Sequence, residues 1–186
     1  MKLRELPAIL VLAVSFLFLW LKVPGFWSAD NLQQVGQQTG LLGIMALGEA
    51  LVVLTGGIDL SVGAVAAVAG CAAGWRMHSG GSWIVATAIG LVAGAIGGWI
   101  NGALITLRKL PPILTTLATL LLFRAITNIA TGAIPYNDLP EPFKKLGIGN
   151  TPLYIFVILT VLGIWLLARA RFGRHLLATG GSEQSA

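Results

Sequence analysis

Long apolar stretches alternate with short polar segments along the whole chain. Six stretches are almost entirely apolar or small, and we predict that each is a helical membrane span: residues 7–21, 40–55, 60–75, 83–105, 113–131 and 151–168. Their lengths are near the ~20 residues that cross a hydrocarbon core as a helix. Among the polar segments, we predict that 22–39 is a loop and that 132–150 is a loop with room for a short interfacial helix. The pattern predicts an all-α fold, a polytopic transmembrane helical bundle.

The apolar run from residue 41 to residue 75 is much longer than one span needs, and residues 55–61 interrupt it. Gly56 and Gly57 can end a helix, because glycine tolerates positive φ. Asp59 or Ser61 can then cap the next helix by offering a side-chain oxygen to free backbone N–H groups. We therefore predict a broken-helix turn at this point. Two interpretations of Asp59 remain open: a simple N-cap, or an intramembrane acid whose charge the function requires.

The composition is that of a membrane protein, and it argues against nucleic-acid binding and a Cys/His metal site. Hydrophobic residues make up 56% of the 186 residues and charged residues 10%, against roughly 25% charged in soluble domains. The net charge of +5 comes from residues scattered at segment ends, so no basic face for nucleic acid is expected. A single cysteine excludes an intrachain disulfide, and no Cys/His cluster predicts a metal site.

The distribution of basic residues predicts the orientation. Six spans place both termini on one side of the membrane, and that side carries seven of the basic residues outside the spans: Lys2, Arg4, Arg108, Lys109, Arg169, Arg171 and Arg174. The other side carries four: Lys22, Arg76, Lys144 and Lys145. Because cytoplasmic loops are enriched in Lys and Arg, both termini are expected in the cytoplasm. A five-span alternative, with residues 40–75 as one broken span, would send the arginines at 169–174 outside.

Further polar and small residues inside the spans are candidates for packing or for a solute path. Glu49 and Arg124 are costly in hydrocarbon unless they face protein or water, and an ion pair between them is one expectation. Asn101 adds an amide suited to a hydrogen bond between helices or to a polar path. Two rows of small residues predict close helix packing. One is a glycine ladder at steps of four, Gly90, Gly94, Gly98 and Gly102, with Gly97 beside it; the other is Gly63, Ala67, Gly70 and Gly74.

Three stretches in a fixed order carry a resemblance to a known family. The first is Thr-Gly-Gly-Ile-Asp-Leu-Ser-Val-Gly at 55–63; the second is 101–106 with 110–113 and 116–119; the third is 172–174 with 178–181. Together they resemble bacterial ABC-importer permeases of the ribose/xylose/arabinose type. The resemblance implies a permease subunit in the inner membrane that carries a monosaccharide or a similar small polar solute. It implies that residues 1–186 are the N-terminal part of one transmembrane domain, with further spans after them.

The resemblance also implies the partners. They are a cytoplasmic ABC ATPase, a periplasmic or lipid-anchored solute-binding protein, a second permease subunit and the lipid bilayer. Residues 172–186 resemble the start of the segment that docks on the ATPase, with these candidates for coupling: Gly173, Arg174, Ala178, Gly180, Gly181, Glu183 and Ala186. The family usually has Asn at position 182 and Ala at position 185, where this chain has serine. Glycines 173, 180 and 181 are expected to let the chain turn back toward the membrane.

No catalytic activity and no cofactor are expected. The sequence lacks the Gly-x-x-x-x-Gly-Lys-Ser/Thr loop for ATP phosphates, and it lacks the His-Glu-x-x-His and Gly-x-Ser-x-Gly patterns of hydrolases. ATP hydrolysis is therefore assigned to the partner subunit. An alternative from another class is a secondary transporter that uses Asp59, at the discontinuous helix, as an ion or proton site.

Overall fold

The structure is a computed structural model that describes residues 6–181. Within that range the chain forms eight helices and no strand: α1 Leu6–Lys22, α2 Ala29–Leu54, α3 Val62–His78, α4 Trp83–Arg108, α5 Pro112–Thr131, α6 Glu141–Gly147, α7 Thr151–Arg169 and α8 Arg171–Gly181. The predicted all-α class is confirmed. The short helix allowed for in segment 132–150 is α6, which begins after Pro140 and carries the ion pair between Lys144 and Glu141 at 3.0 Å.

The six predicted spans correspond to α1, α2, α3, α4, α5 and α7. Four of these helices, α2, α4, α5 and α7, are long and apolar enough to cross a membrane. Helix α1 is a shorter apolar helix, and α3, like α1, has 17 residues. The helical bundle with several membrane spans is therefore confirmed, whereas the number six stays a prediction.

The predicted loop at 22–39 is wrong in its second half, because α2 begins at Ala29. Ser28 caps this helix: its hydroxyl oxygen accepts a hydrogen bond from the Asn31 N–H at 3.2 Å. The glutamines that suggested a loop are good helix formers and lie on the helix surface. One of them, Gln37, donates to the Gly147 carbonyl oxygen at 2.7 Å, which ties the start of α2 to the end of α6.

Helices α2 and α7 form the first of two packed groups. Gly40 lies against the backbone of Pro152, so closely that a Cβ atom at position 40 would overlap the Pro152 carbonyl group. One turn further on, a Cβ atom at Gly43 would lie 2.6 Å from the Phe156 ring. The two helix backbones therefore meet along a seam that only glycine permits.

Helices α3, α4 and α5 form the second group. A Cβ atom at Gly90 would lie 2.9 Å from the Ala69 carbonyl oxygen, and one at Gly97 would lie 3.1 Å from the Val65 side chain. Gly98 and Gly102 have no neighbour within 4 Å of such an atom. The predicted glycine ladder of α4 is thus confirmed at Gly90 and Gly94 and wrong at Gly98 and Gly102. The packed face follows Gly90, Gly94 and Gly97, because a spacing of seven residues returns to the same side of a helix and repeated steps of four drift away.

The row of small residues on α3 does not face α4. Its predicted packing role is wrong at Gly63 and Gly70 and right at Gly74. Gly63 and Gly70 have open space around them. Ala67, Gly70 and Gly74 instead line an open cavity of about 410 Å³ shared with α5 and the segment after it. Gly74 alone of these is closely packed, since a Cβ atom there would lie 2.8 Å from the Tyr136 ring.

The two groups touch each other much less than the most closely packed helix pairs do, α2 with α7 and α3 with α4. Their ends nevertheless show that α2 and α3 run antiparallel. The first half of α2 lies beside Pro152 at the start of α7. The end of α3 packs at the same level, because Phe143 of α6, which precedes α7, packs against the cluster formed by Ala73, Met77 and Ala86. Residues 40–75 are consequently a helical hairpin, in contrast to the single broken span of the five-span alternative.

Candidate functional site

The end of α2 has the hydrogen bonds of a Schellman motif. Gly56 has a φ of +83° and donates its N–H to the Val53 carbonyl at 2.9 Å, while Gly57 N–H donates to the Val52 carbonyl at 3.2 Å. This pairing satisfies carbonyls that the end of a helix leaves free. The prediction of a broken-helix turn at 55–61 is confirmed, and Gly56 supplies the positive φ.

Asp59 does not cap α3 in the usual way. Ser61 holds the N-cap position of α3 and makes no capping hydrogen bond with its side chain. Instead, Asp59 Oδ1 accepts two hydrogen bonds from Ser61, from the backbone N–H and from the hydroxyl, both at 2.7 Å. This is a local turn closed by an Asp side chain, and it fixes residues 59–61 directly before α3 begins at Val62.

Asn101 connects this turn to α4. Its Nδ2 donates to Ser61 Oγ at 2.6 Å, and both residues are buried, with exposed fractions of 3% for Asn101 and 0% for Ser61. The single hydroxyl proton of Ser61 is already donated to Asp59, so the hydroxyl can only accept from Asn101. That requirement sets the orientation of the Asn101 amide. Its Oδ1 is buried and has no hydrogen-bond partner among the described residues.

Glu49 and Thr116 complete the group that we name the break cluster: Glu49, Asp59, Ser61, Asn101 and Thr116. Glu49 Oε1 accepts the Asp59 N–H at 3.2 Å, and its Oε2 is buried without a partner in the described part of the chain. The Thr116 hydroxyl donates to the Pro112 carbonyl at 2.9 Å and lies 3.3 Å from the Ile58 carbonyl oxygen. The cluster therefore joins four helices at the break, and it holds two acceptors open to further donors.

The expected ion pair between Arg124 and Glu49 is wrong. Arg124 is exposed on the surface of α5, and the ion pair between Lys144 and Glu141 is the one found within residues 6–181. The position of Arg124 in the sequence gives its depth in a span but not the direction in which it points. The break cluster thus contains two carboxylates and no basic side chain from the described residues.

The turn expected from the glycines at 173, 180 and 181 is also wrong. All three lie inside α8, and the chain turns instead at Ala170, which has extended backbone with ψ of 152°. The glycines allow close contact. A Cβ atom at Gly173 would overlap the Leu167 backbone of α7, and one at Gly180 would overlap the Leu54 carbonyl oxygen of α2. Glu183 and Ala186 lie outside the described residues.

The outer face of α8 carries the remaining candidates for coupling. Arg174 and Ala178 are exposed and four residues apart, so they share one face of the helix. Arg174 Nη1 lies 3.4 Å from the Arg169 carbonyl oxygen, and a basic side chain suits the free carbonyls at the end of α7. The interval of seven residues between Gly173 and Gly180, which is two helical turns, was the signal in the sequence that could have indicated a packed helix face.

The fold and the break cluster define a helical membrane protein with a hydrogen-bonded discontinuity between two packed helix groups. This chain belongs to the family described as branched-chain amino acid transport system / permease component, whose profile matches residues 31–186. The matched region includes the whole break cluster and α8. The comparison supports the permease class and gives no support to the alternative of a secondary transporter.

Several curated proteins resemble the chain over 98% of its length. The autoinducer 2 import system permease protein LsrC of Photorhabdus luminescens is 32% identical over 188 residues. The LsrC proteins of Salmonella typhi and of Escherichia coli (strain K12 / DH10B) are 33% and 34% identical. The chain spans 57%, 54% and 55% of the lengths of these three relatives, which is little more than half. No solved structure matches the chain.

Proposed function

We propose that the chain is the N-terminal part of the membrane-spanning permease subunit of an ABC importer. The protein carries a monosaccharide or a similar small polar solute across the inner membrane and performs no bond chemistry itself. The observation that supports this most is the family match over residues 31–186, which spans both the break cluster and α8. Autoinducer 2, the solute in the names of the relatives, is the first solute to test.

The break cluster is the proposed element of the translocation path. Transporters commonly place discontinuous helices beside the solute, because free backbone groups and polar side chains at the break can contact it. Here Glu49 Oε2 and Asn101 Oδ1 are acceptors without partners among residues 6–181, so they can accept from the hydroxyl groups of a polar solute or from water. The exposed Arg124 is then left to a contact with lipid headgroups or with another part of the permease.

The partners follow from the two ends of the bundle. The end that holds the break, Arg108, Lys109 and α8 is the proposed cytoplasmic side, where the ATPase contacts the outer face of α8. The opposite end, with α6 and residues 132–140, is the proposed docking side for a solute-binding protein. A second permease subunit, identical or different, completes the membrane assembly.

Uptake into proteoliposomes tests the proposal. The full-length permease is reconstituted with its ATPase, and labelled autoinducer 2 or D-ribose is added together with the binding protein. ATP is supplied on the ATPase side. We expect uptake that needs all three proteins and that stops when the ATPase carries a substitution in its nucleotide site.

Ionophores that remove the sodium and proton gradients provide the control, and uptake should continue in their presence. Uptake that persists without the ATPase but disappears with the ion gradient would overturn the proposal. That result would also revive the interpretation of Asp59 as an ion site.

A further inference from the structure

Helix α8 reaches the break through one contact that only glycine allows. An added Cβ atom at Gly180 would overlap the Leu54 carbonyl oxygen and would lie 3.0 Å from the Leu54 carbonyl carbon and 3.6 Å from that of Thr55. Leu54 is the last residue of α2, and Thr55 begins the break. The backbone of α8 therefore rests directly on the final turn of α2, with no side chain from residue 180 between them.

From this contact a continuous series of direct interactions leads to the second helix group. Glu49 lies in the last two turns of α2 and accepts the Asp59 N–H at 3.2 Å. Asp59 accepts from Ser61, and Ser61 accepts from Asn101 of α4 at 2.6 Å. Because the two groups otherwise touch little, the Glu49–Asp59 hydrogen bond is a principal link between them. A displacement of the end of α2 must change this link or move the second group.

We infer that Gly180 is a positioning residue that couples α8 to the break cluster. Movement of α8 is passed through the Leu54 carbonyl to the last turns of α2 and changes the Glu49–Asp59 link between the helix groups. The inference rests on the proposed function, since it assumes that the ATPase moves α8. Coupling means that an event at the ATPase changes the state of the break, so the test measures a response at the break to nucleotide at the ATPase.

The accessibility of residue 58 reports on the break. Ile58 is 45% exposed and follows Gly57 directly, outside any helix. The full-length permease carries Ile58→Cys in a background in which Cys71→Ala and the replacement of any further cysteine leave no other thiol, and it is reconstituted with its ATPase in lipid nanodiscs. The labelling rate of Cys at 58 by a water-soluble maleimide is measured without nucleotide and with ATP plus orthovanadate. We expect a several-fold difference between the two states.

Gly180→Ala should bring the ratio of the two rates to about one, while the ATPase co-purifies with the permease as before. The matched control is Gly98→Ala, where the new methyl group meets nothing within 4 Å and the ratio should equal that of the parent. A merely structural role of Gly180 would lower insertion or yield without removing the response to nucleotide. If Gly180→Ala does not insert into the membrane, the ratio of labelling rates is measured in Glu49→Leu instead. That change removes the acceptor of the Asp59 N–H and should also bring the ratio to about one.

Each outcome bears on the inference. A ratio of about one in Gly180→Ala, or in Glu49→Leu if the first variant fails, supports it. A response to nucleotide like that of the parent in the inserted variant overturns it, and so does a parent that shows no response although it transports. Failure of the proposed function looks different: the parent itself does not retain the ATPase and takes up no solute in its presence.

Discussion

Glu49 Oε1 accepts a hydrogen bond from the backbone N–H of Asp59 at 3.2 Å, although the two residues belong to a helix and to the non-helical segment that follows it. The chain thus folds back at the break and binds its own preceding helix. Oε2 of the same carboxylate is buried and unpaired within the described residues. A buried acceptor without a partner is unfavourable, so this atom, like Asn101 Oδ1, is a place where a ligand or water would stabilise the break cluster.

Asp59→Asn and Asp59→Leu should give different results, because only asparagine keeps a side-chain oxygen that accepts hydrogen bonds. Oδ1 alone makes both contacts with Ser61, and an Asn side chain keeps an oxygen that accepts hydrogen bonds. We expect Asp59→Asn in the full-length permease to insert and transport at close to the parental rate, and Asp59→Leu to lose transport. Solute uptake and the amount of inserted permease are measured together. An inserted Asp59→Asn protein without transport would show that the negative charge itself is required.

Ser61→Ala should destabilise the protein through the polar groups that it leaves behind. The change removes the acceptor of the buried Asn101 Nδ2 and one donor to Asp59. Leaving a buried donor unsatisfied costs about 1–3 kcal/mol. The midpoint of thermal unfolding in detergent should fall clearly. Thr106→Ala, which removes an exposed hydroxyl bonded to its own helix, is the control and should cost less than about 0.5 kcal/mol. Equal losses in the two variants would contradict this account of the break cluster.

Two glycines of α2 provide a matched pair for the seam with α7. At Gly40 an added methyl group would overlap the Pro152 carbonyl group, whereas at Gly48 it would meet nothing within 4 Å. Gly40→Ala should lower the free energy of unfolding by about 1–3 kcal/mol, since the helices must separate. Gly48→Ala should raise it by about 0.5–1 kcal/mol, because alanine favours the helix. Thermal unfolding of both purified variants measures the difference, and the seam is misplaced if the two shift in the same direction.

Cysteine labelling checks the orientation. Single cysteines at Ser79, Asn137 and Ala178, all exposed, are introduced into the Cys71→Ala full-length permease. With an impermeant thiol reagent in intact cells, positions 79 and 137 should react from outside, and position 178 only after the membrane is permeabilised. Labelling of position 178 in intact cells would reverse the proposed sides and move α8 away from any cytoplasmic ATPase.

The sequence was sufficient where local chemistry decides the structure. Gly56 and Gly57 predicted the end of α2, because the Schellman motif depends on residues adjacent in the chain. It was insufficient where partners are distant. The glutamines at 33–38 suggested a loop, whereas the segment belongs to α2 and Gln37 donates to the carbonyl of Gly147, 110 residues further along the chain. The predictions for Arg124 and Gly180 were wrong for the same reason. The residues adjacent in the sequence show neither the direction in which a side chain points nor which helix packs against a glycine.

The roles of the predicted site residues remain predictions, although their positions are now known. Asn101, Ser61, Asp59 and Glu49 were separate candidates in the sequence, and the structure brings them together by hydrogen bonds. Nothing in the spacing of 40 residues between Ser61 and Asn101 indicates that contact. It depends on the antiparallel packing of α3 and α4, which the glycines at 90 and 97 make close enough.

The unequal lengths of α2 and α3 have a consequence for the bilayer around them. With 26 and 17 residues they measure about 39 Å and about 25 Å, against a hydrocarbon thickness of about 30 Å. One arm of the hairpin protrudes or tilts, and the other is a few ångströms shorter than the hydrocarbon core is thick. The backbone of residues 55–61 then makes up the remaining depth. Lipid around this hairpin is expected to thin locally and to admit water toward the Glu49 oxygen that has no partner in the described part of the chain.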